Sequence, residues 1–68
     1  MRVVLNGEPA DVPSGATVAS ILGRMQIRED ACGVAVAVDA EVVPRGAWPE
    51  ARLSEGARVE VLHAVQGG

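Results

Sequence analysis

Sixty-eight residues allow one domain whose core shelters only about 60% of the unfolded chain's surface, so its stability is expected to be modest. The formal charge is −3, with nine acidic residues against six basic ones, all arginine, which argues against a nucleic-acid partner and for one with a basic surface. Phenylalanine and tyrosine are absent and Trp48 is the single tryptophan, so the core must be aliphatic and base-stacking platforms are excluded.

Met1-Arg2-Val3-Val4-Leu5 meets Asn6-Gly7 before any long apolar run, so it reads as a strand and not as a secretory leader or membrane span. Asn6-Gly7 supplies the two positive-φ positions of a type I′ turn, which predicts a hairpin into a second short strand through EPADV. Thr17 is the expected N-cap of an amphipathic helix with Val18, Ile21, Leu22 and Met25 at i, i+3, i+4, i+7 spacing. Gly23 weakens that helix by roughly 1 kcal/mol relative to alanine, so the helix must rest its stripe on a sheet. Val34, Val36 and Val38 alternate with Ala35 and Ala37, giving one face for the helix and one that is flat and nearly bare. DAE reverses the chain into a brief strand at Val42 and Val43, which Pro44 confines to an edge. The next thirteen residues read as an irregular connection with Trp48 and Leu53 as inward anchors, closed at Gly56. RVEVLHAV is the last strand, with Val59 and Val61 facing the helix and Glu60, Leu62 and Ala64 facing away.

Two hairpin-like halves joined by one helix give the order ββαββ and predict an α+β fold of the β-grasp type, a mixed sheet of four to five strands. The first and last strands are expected side by side in the middle of the sheet. One domain over residues 1–64 and a flexible C-terminal Gly-Gly tail over 65–68 complete the expected organisation.

Little in the chain carries chemistry of its own. Cys32 and His63 are single and far apart in sequence, with no metal-ligand spacing. Cys32 lies in a helix-to-strand connection and reads as a small structural residue, because a reactive thiolate needs a cationic neighbour. His63 has no orienting carboxylate or nucleophile in the sequence pattern. The glycines fall singly at turns and element ends and form no phosphate-cradling loop. What remains is the C-terminal carboxylate, with an ordinary pKa of about 3.5, on Val65-Gln66-Gly67-Gly68. Four extended residues reach about 13 Å, far enough to enter a partner's cleft while the body stays outside. Taken alone, a diglycine end is also what a frayed terminus looks like.

The segments LNGE, TVASIL, VAVAV, VVPRGAW and RVEVLHAVQGG span nearly the whole chain and resemble the thiamine-biosynthesis sulfur carrier family, ThiS, a branch of the ubiquitin-like β-grasp proteins. The terminal Gly-Gly is common to the superfamily, whereas VVPR followed by a tryptophan and then VQGG is characteristic of the thiamine branch. Asp39 stands where the family often has asparagine, and both residues form turns. The resemblance implies that the Gly68 carboxylate is adenylated with ATP by a separate adenylating enzyme and converted to a thiocarboxylate. A donor such as a cysteine desulfurase would supply the sulfur, which would pass to thiazole synthase. The chain would then be a protein co-substrate and not an enzyme, monomeric when free and cytoplasmic. It would bind no cofactor stably, ATP being used by its activating partner. Val65, Gln66 and Gly67 would enter partner active sites with Gly68. Val4, Leu62 and Ala64 are expected to form the apolar part of a docking patch on the open sheet face. The alternatives are a carrier for molybdopterin or tRNA thiolation, a ubiquitin-like modifier joined through Gly68 to target lysines, and an interaction module with an inert tail. Without lysine, a modifier of this sequence forms no lysine-linked chains of itself.

Overall fold

The order of elements in the computed structural model, which describes residues 1–28 and 30–64, is β1 (Arg2–Leu5), β2 (Glu8–Asp11), α1 (Val18–Arg24), β3 (Val34–Val38), β4 (Glu41–Val43) and β5 (Arg58–His63). A 3₁₀ turn at Arg45–Ala47 lies between the last two strands. Asn6 and Gly7 both take positive φ, 49° and 85°, so β1 and β2 form the hairpin that their turn residues predict. Thr17 caps α1 reciprocally: its hydroxyl accepts the Ser20 N–H at 3.2 Å, and Ser20 Oγ accepts the Thr17 N–H at 2.9 Å. Serine here plays the part that glutamate or glutamine plays in the usual capping box. The helix has seven residues and stops at Arg24. Met25, read from its spacing as a fourth stripe position, is instead the half-buried C-cap, and Gln26 at φ 62° turns the chain away.

The five strands form one sheet in the order β2-β1-β5-β3-β4. β5 runs parallel to β1 and antiparallel to β3, which makes it the central strand of a mixed sheet. Its strand conformation ends at His63, shorter than the run to Val65 read from the sequence; Val65 lies outside the described residues. The expected tail over 65–68 likewise lies outside them.

Alternation decides which side of the sheet is dry. Val3, Val36, Val59 and Val61 are buried and face α1, whose Val18, Ile21 and Leu22 are buried in turn. Trp48 and Leu53, at 2% and 6% exposure, close this core from the connection between β4 and β5. Trp48 is fixed at three points: its indole N–H donates to the Val43 carbonyl at 2.9 Å, the Arg45 guanidinium lies 4.6 Å over its ring, and its carbonyl accepts the Ala19 N–H at 3.1 Å. The second of these is a cation–π contact, and Arg45 also donates to the Ala31 carbonyl at 2.6 Å. The helix start is thereby tied to the connection that the sequence pattern leaves irregular. Among the described residues, no helix is long and apolar enough to cross a membrane.

Candidate functional site

Among the described residues, no helix lies on the other face of the sheet. Along β5 this face presents Arg58, Glu60 and Leu62, and along β3 Ala35 and Ala37. Register sets the neighbours: Leu62 lies opposite Ala35, Glu60 opposite Ala37, and Ala37 opposite Val42. Two alanines between two larger aliphatics leave a groove, lined by Leu62, Ala35, Ala37, Val42, Glu60 and Asn6. Val42 and Leu62 are 77% and 72% exposed and are the exposed large hydrophobics among the described residues. Glu60 is the charged residue of this groove.

The residues read from the sequence as a docking patch are not evenly placed in it. Leu62 lies in the groove and Ala64 follows it, exposed, just past the end of β5. Val4 is half-buried and pairs with Arg58, four residues back along β5, or roughly 13 Å at strand rise. It lines a separate depression with Asn6, Gly7, Arg58 and Glu60. Val42 is a groove residue that sequence reasoning passes over. In the pair Val42-Val43 either valine can face inward, and only the pairing with β3 shows that Val42 stays out.

The strand leading to the C-terminus is held on both flanks. On one side the Asn6 N–H donates to the Val59 carbonyl at 2.9 Å and Asn6 Oδ1 accepts the Val61 N–H at 2.8 Å. The side-chain amide thus continues the pairing of β5 after the parallel ladder stops at Leu5 and Val59. On the other side the ladder with β3 runs from Val38–Val59 to Val34–His63, and the Ala64 N–H then donates to the Gly33 carbonyl at 2.8 Å. Val65, Gln66, Gly67 and Gly68 lie outside the described residues.

Cys32 is exposed and unbridged in the loop before β3, and His63 is exposed at the end of β5. No three His, Cys, Asp or Glu side chains converge among the described residues.

Comparison with known proteins fits this geometry. The model of the ThiS family matches residues 3–68. The Escherichia coli sulfur carrier protein ThiS is 25% identical over the full length of both chains. Thiazole synthases of Paramagnetospirillum magneticum and Magnetococcus marinus are 29% and 34% identical over all 68 residues, and the chain spans about a fifth of their length. The crystal structure of the thiamine biosynthesis protein (ThiS) from Geobacter metallireducens superposes over the whole of both chains with a TM-score of 0.80 at 28% identity.

Proposed function

The chain belongs to the ThiS family, and we propose that it is a sulfur carrier of thiamine biosynthesis whose working group is the Gly68 carboxylate. The observation that carries this reading is the family match itself, which runs through Gly67 and Gly68 to the last residue. A carboxylate resists a sulfur nucleophile because its charge is delocalised and it would have to expel oxide. Adenylation with ATP releases pyrophosphate and converts that oxide into AMP, a competent leaving group. The terminal sulfur of a donor persulfide takes the carbonyl as AMP departs, and a thiol then reduces the S–S bond of the resulting acyl disulfide, itself ending in a disulfide with the donor. The product is a thiocarboxylate on Gly68. An adenylating enzyme performs the activation, a donor such as a cysteine desulfurase supplies the sulfur, and thiazole synthase receives it. Two thiazole synthases that carry a segment similar to this chain support the last assignment. The single cysteine and the requirement for ATP suit a cytoplasmic setting.

The body of the protein presents the tail and contributes no acid, base or electrophile, so the chain is a co-substrate and not a catalyst. We assign docking to the open face, with Leu62 and Ala64 beside the tail, Val4 on the flank and Val42 across the groove. Val65, Gln66 and Gly67 thread the partner's channel, where glycine lets the walls close on bare backbone. Deletion of Gly68 separates docking from chemistry. The shortened chain is expected to bind the adenylating enzyme within about twofold of the full chain and to accept no sulfur. Sulfur loading of the shortened chain would show that Gly68 is not the acceptor.

A further inference from the structure

Among the described glycines, four have positive φ: Gly7, Gly15, Gly33 and Gly56. A Cβ built at Gly7, Gly15 or Gly56 would meet nothing within 4 Å. At Gly33, with φ +74°, it would lie 2.9 Å from the Ala64 carbonyl oxygen and 3.4 Å from the Ala64 Cβ. Both the backbone conformation and the space therefore demand glycine there. The residue it crowds is the last described one before the tail, and the Gly33 carbonyl accepts that residue's N–H at 2.8 Å.

Resting on the reading of Gly68 as the sulfur acceptor, we propose that Gly33 is a positioning residue for the tail. It latches Ala64 one rung beyond the last strand pair, Val34 with His63, and keeps the tail's root in line with β5. Asn6 holds the opposite flank of β5 at Val61, so the root is fixed relative to the groove on the open face. From Ala64 the carboxylate has about 13 Å of chain with which to reach a reaction centre. A root already fixed is one residue fewer to order when the tail enters a channel. Releasing it lowers the rate of productive insertion by roughly tenfold.

The test compares Gly33→Ala with Gly56→Ala, which imposes the same kind of backbone strain but no contact with Ala64. Each folded protein is given to the adenylating enzyme with ATP and a sulfur donor, and thiocarboxylate formation is followed by intact mass. Gly33→Ala is expected to lower kcat about tenfold with KM within twofold, since the docking groove is untouched, and Gly56→Ala to leave both within twofold. Should Gly33→Ala fail to fold, a synthetic chain with an ester in place of the Ala64 amide removes the N–H that donates to the Gly33 carbonyl and is expected to show the same kcat loss. Equal kcat in the Gly33 variant, or in the ester, and the Gly56 variant would overturn the latch while leaving the carrier reading intact. Absence of sulfur loading in the unaltered chain would remove the carrier reading and the latch with it.

Discussion

Leu62→Glu tests the proposed docking face with little disturbance of the fold. The Leu62 side chain is 72% exposed at the end of the central strand, so its loss from the free protein should change stability by no more than about 0.5 kcal/mol. In a complex the position matters more. Fully burying a leucine is worth about 1.5–3 kcal/mol, and covering the part left open here is worth roughly 1–2 kcal/mol. Glutamate forfeits that contact and puts a second carboxylate beside Glu60 on the same face. A rise of roughly five- to thirtyfold in KM for the adenylating enzyme follows, at nearly constant kcat, because the tail and its root are unchanged. Steady-state kinetics on material whose melting temperature matches that of the unaltered chain supplies the assay. Unchanged KM in Leu62→Glu would remove the open face from the docking surface. Val42→Thr, which keeps the strand-forming shape, should weaken binding by a smaller factor of about three.

Four further predictions concern the scaffold. Ala40, with φ 70° in the exposed turn between β3 and β4, holds a left-handed conformation that disfavours alanine; Ala40→Gly should raise stability by about 0.5–1 kcal/mol, and a lower urea midpoint would contradict this. Trp48→Phe leaves the Val43 carbonyl without its indole partner and should destabilise by about 1–2 kcal/mol, a drop of roughly 5–15 °C in melting temperature; an unchanged value would show that this hydrogen bond adds nothing net. Asn6→Gly keeps the positive φ of the turn but removes the acceptor for the Val61 N–H, so amide exchange at Val61 should accelerate selectively, and equal protection there would refute the clamp. The side-chain hydrogen bond from Arg2, reinforced by its charge, holds the Asp11 carboxyl below its ordinary value of 3.8, so its small contribution is present above that pH and lost as pH falls through the lowered value. Asp11→Asn should flatten the acid limb of stability slightly, and less so in high salt, since both side chains are largely exposed.

The elements that obey a local rule were legible in the residues. Asn6-Gly7 demands its hairpin, Thr17 its helix start, and the valine alternation in β3 and β5 separates the wet face from the dry one before any pairing is known. Met25 shows where periodicity misleads: the i+7 spacing is correct, but the helix has already ended because Gln26 adopts a left-handed turn. The 3₁₀ turn at Arg45–Ala47 has no periodic pattern to find; Pro44 starts it, and the buried Trp48 holds its far end. The candidate site divides in the same way. Leu62 and Ala64 follow from alternation along one strand, whereas Val42 requires the pairing of β3 with β4. Gly33 resembles any loop glycine until Ala64, far along the chain, is found against it.

Sulfur acceptance is proposed at a single residue, Gly68. Incubation of the chain with ATP, the adenylating enzyme and a sulfur donor, followed by intact mass and fragmentation, tests it directly. The expected result is replacement of one carboxylate oxygen by sulfur, dependent on ATP and localised to Gly68. An unchanged mass with all components active, or sulfur found at Cys32 in place of Gly68, would contradict it.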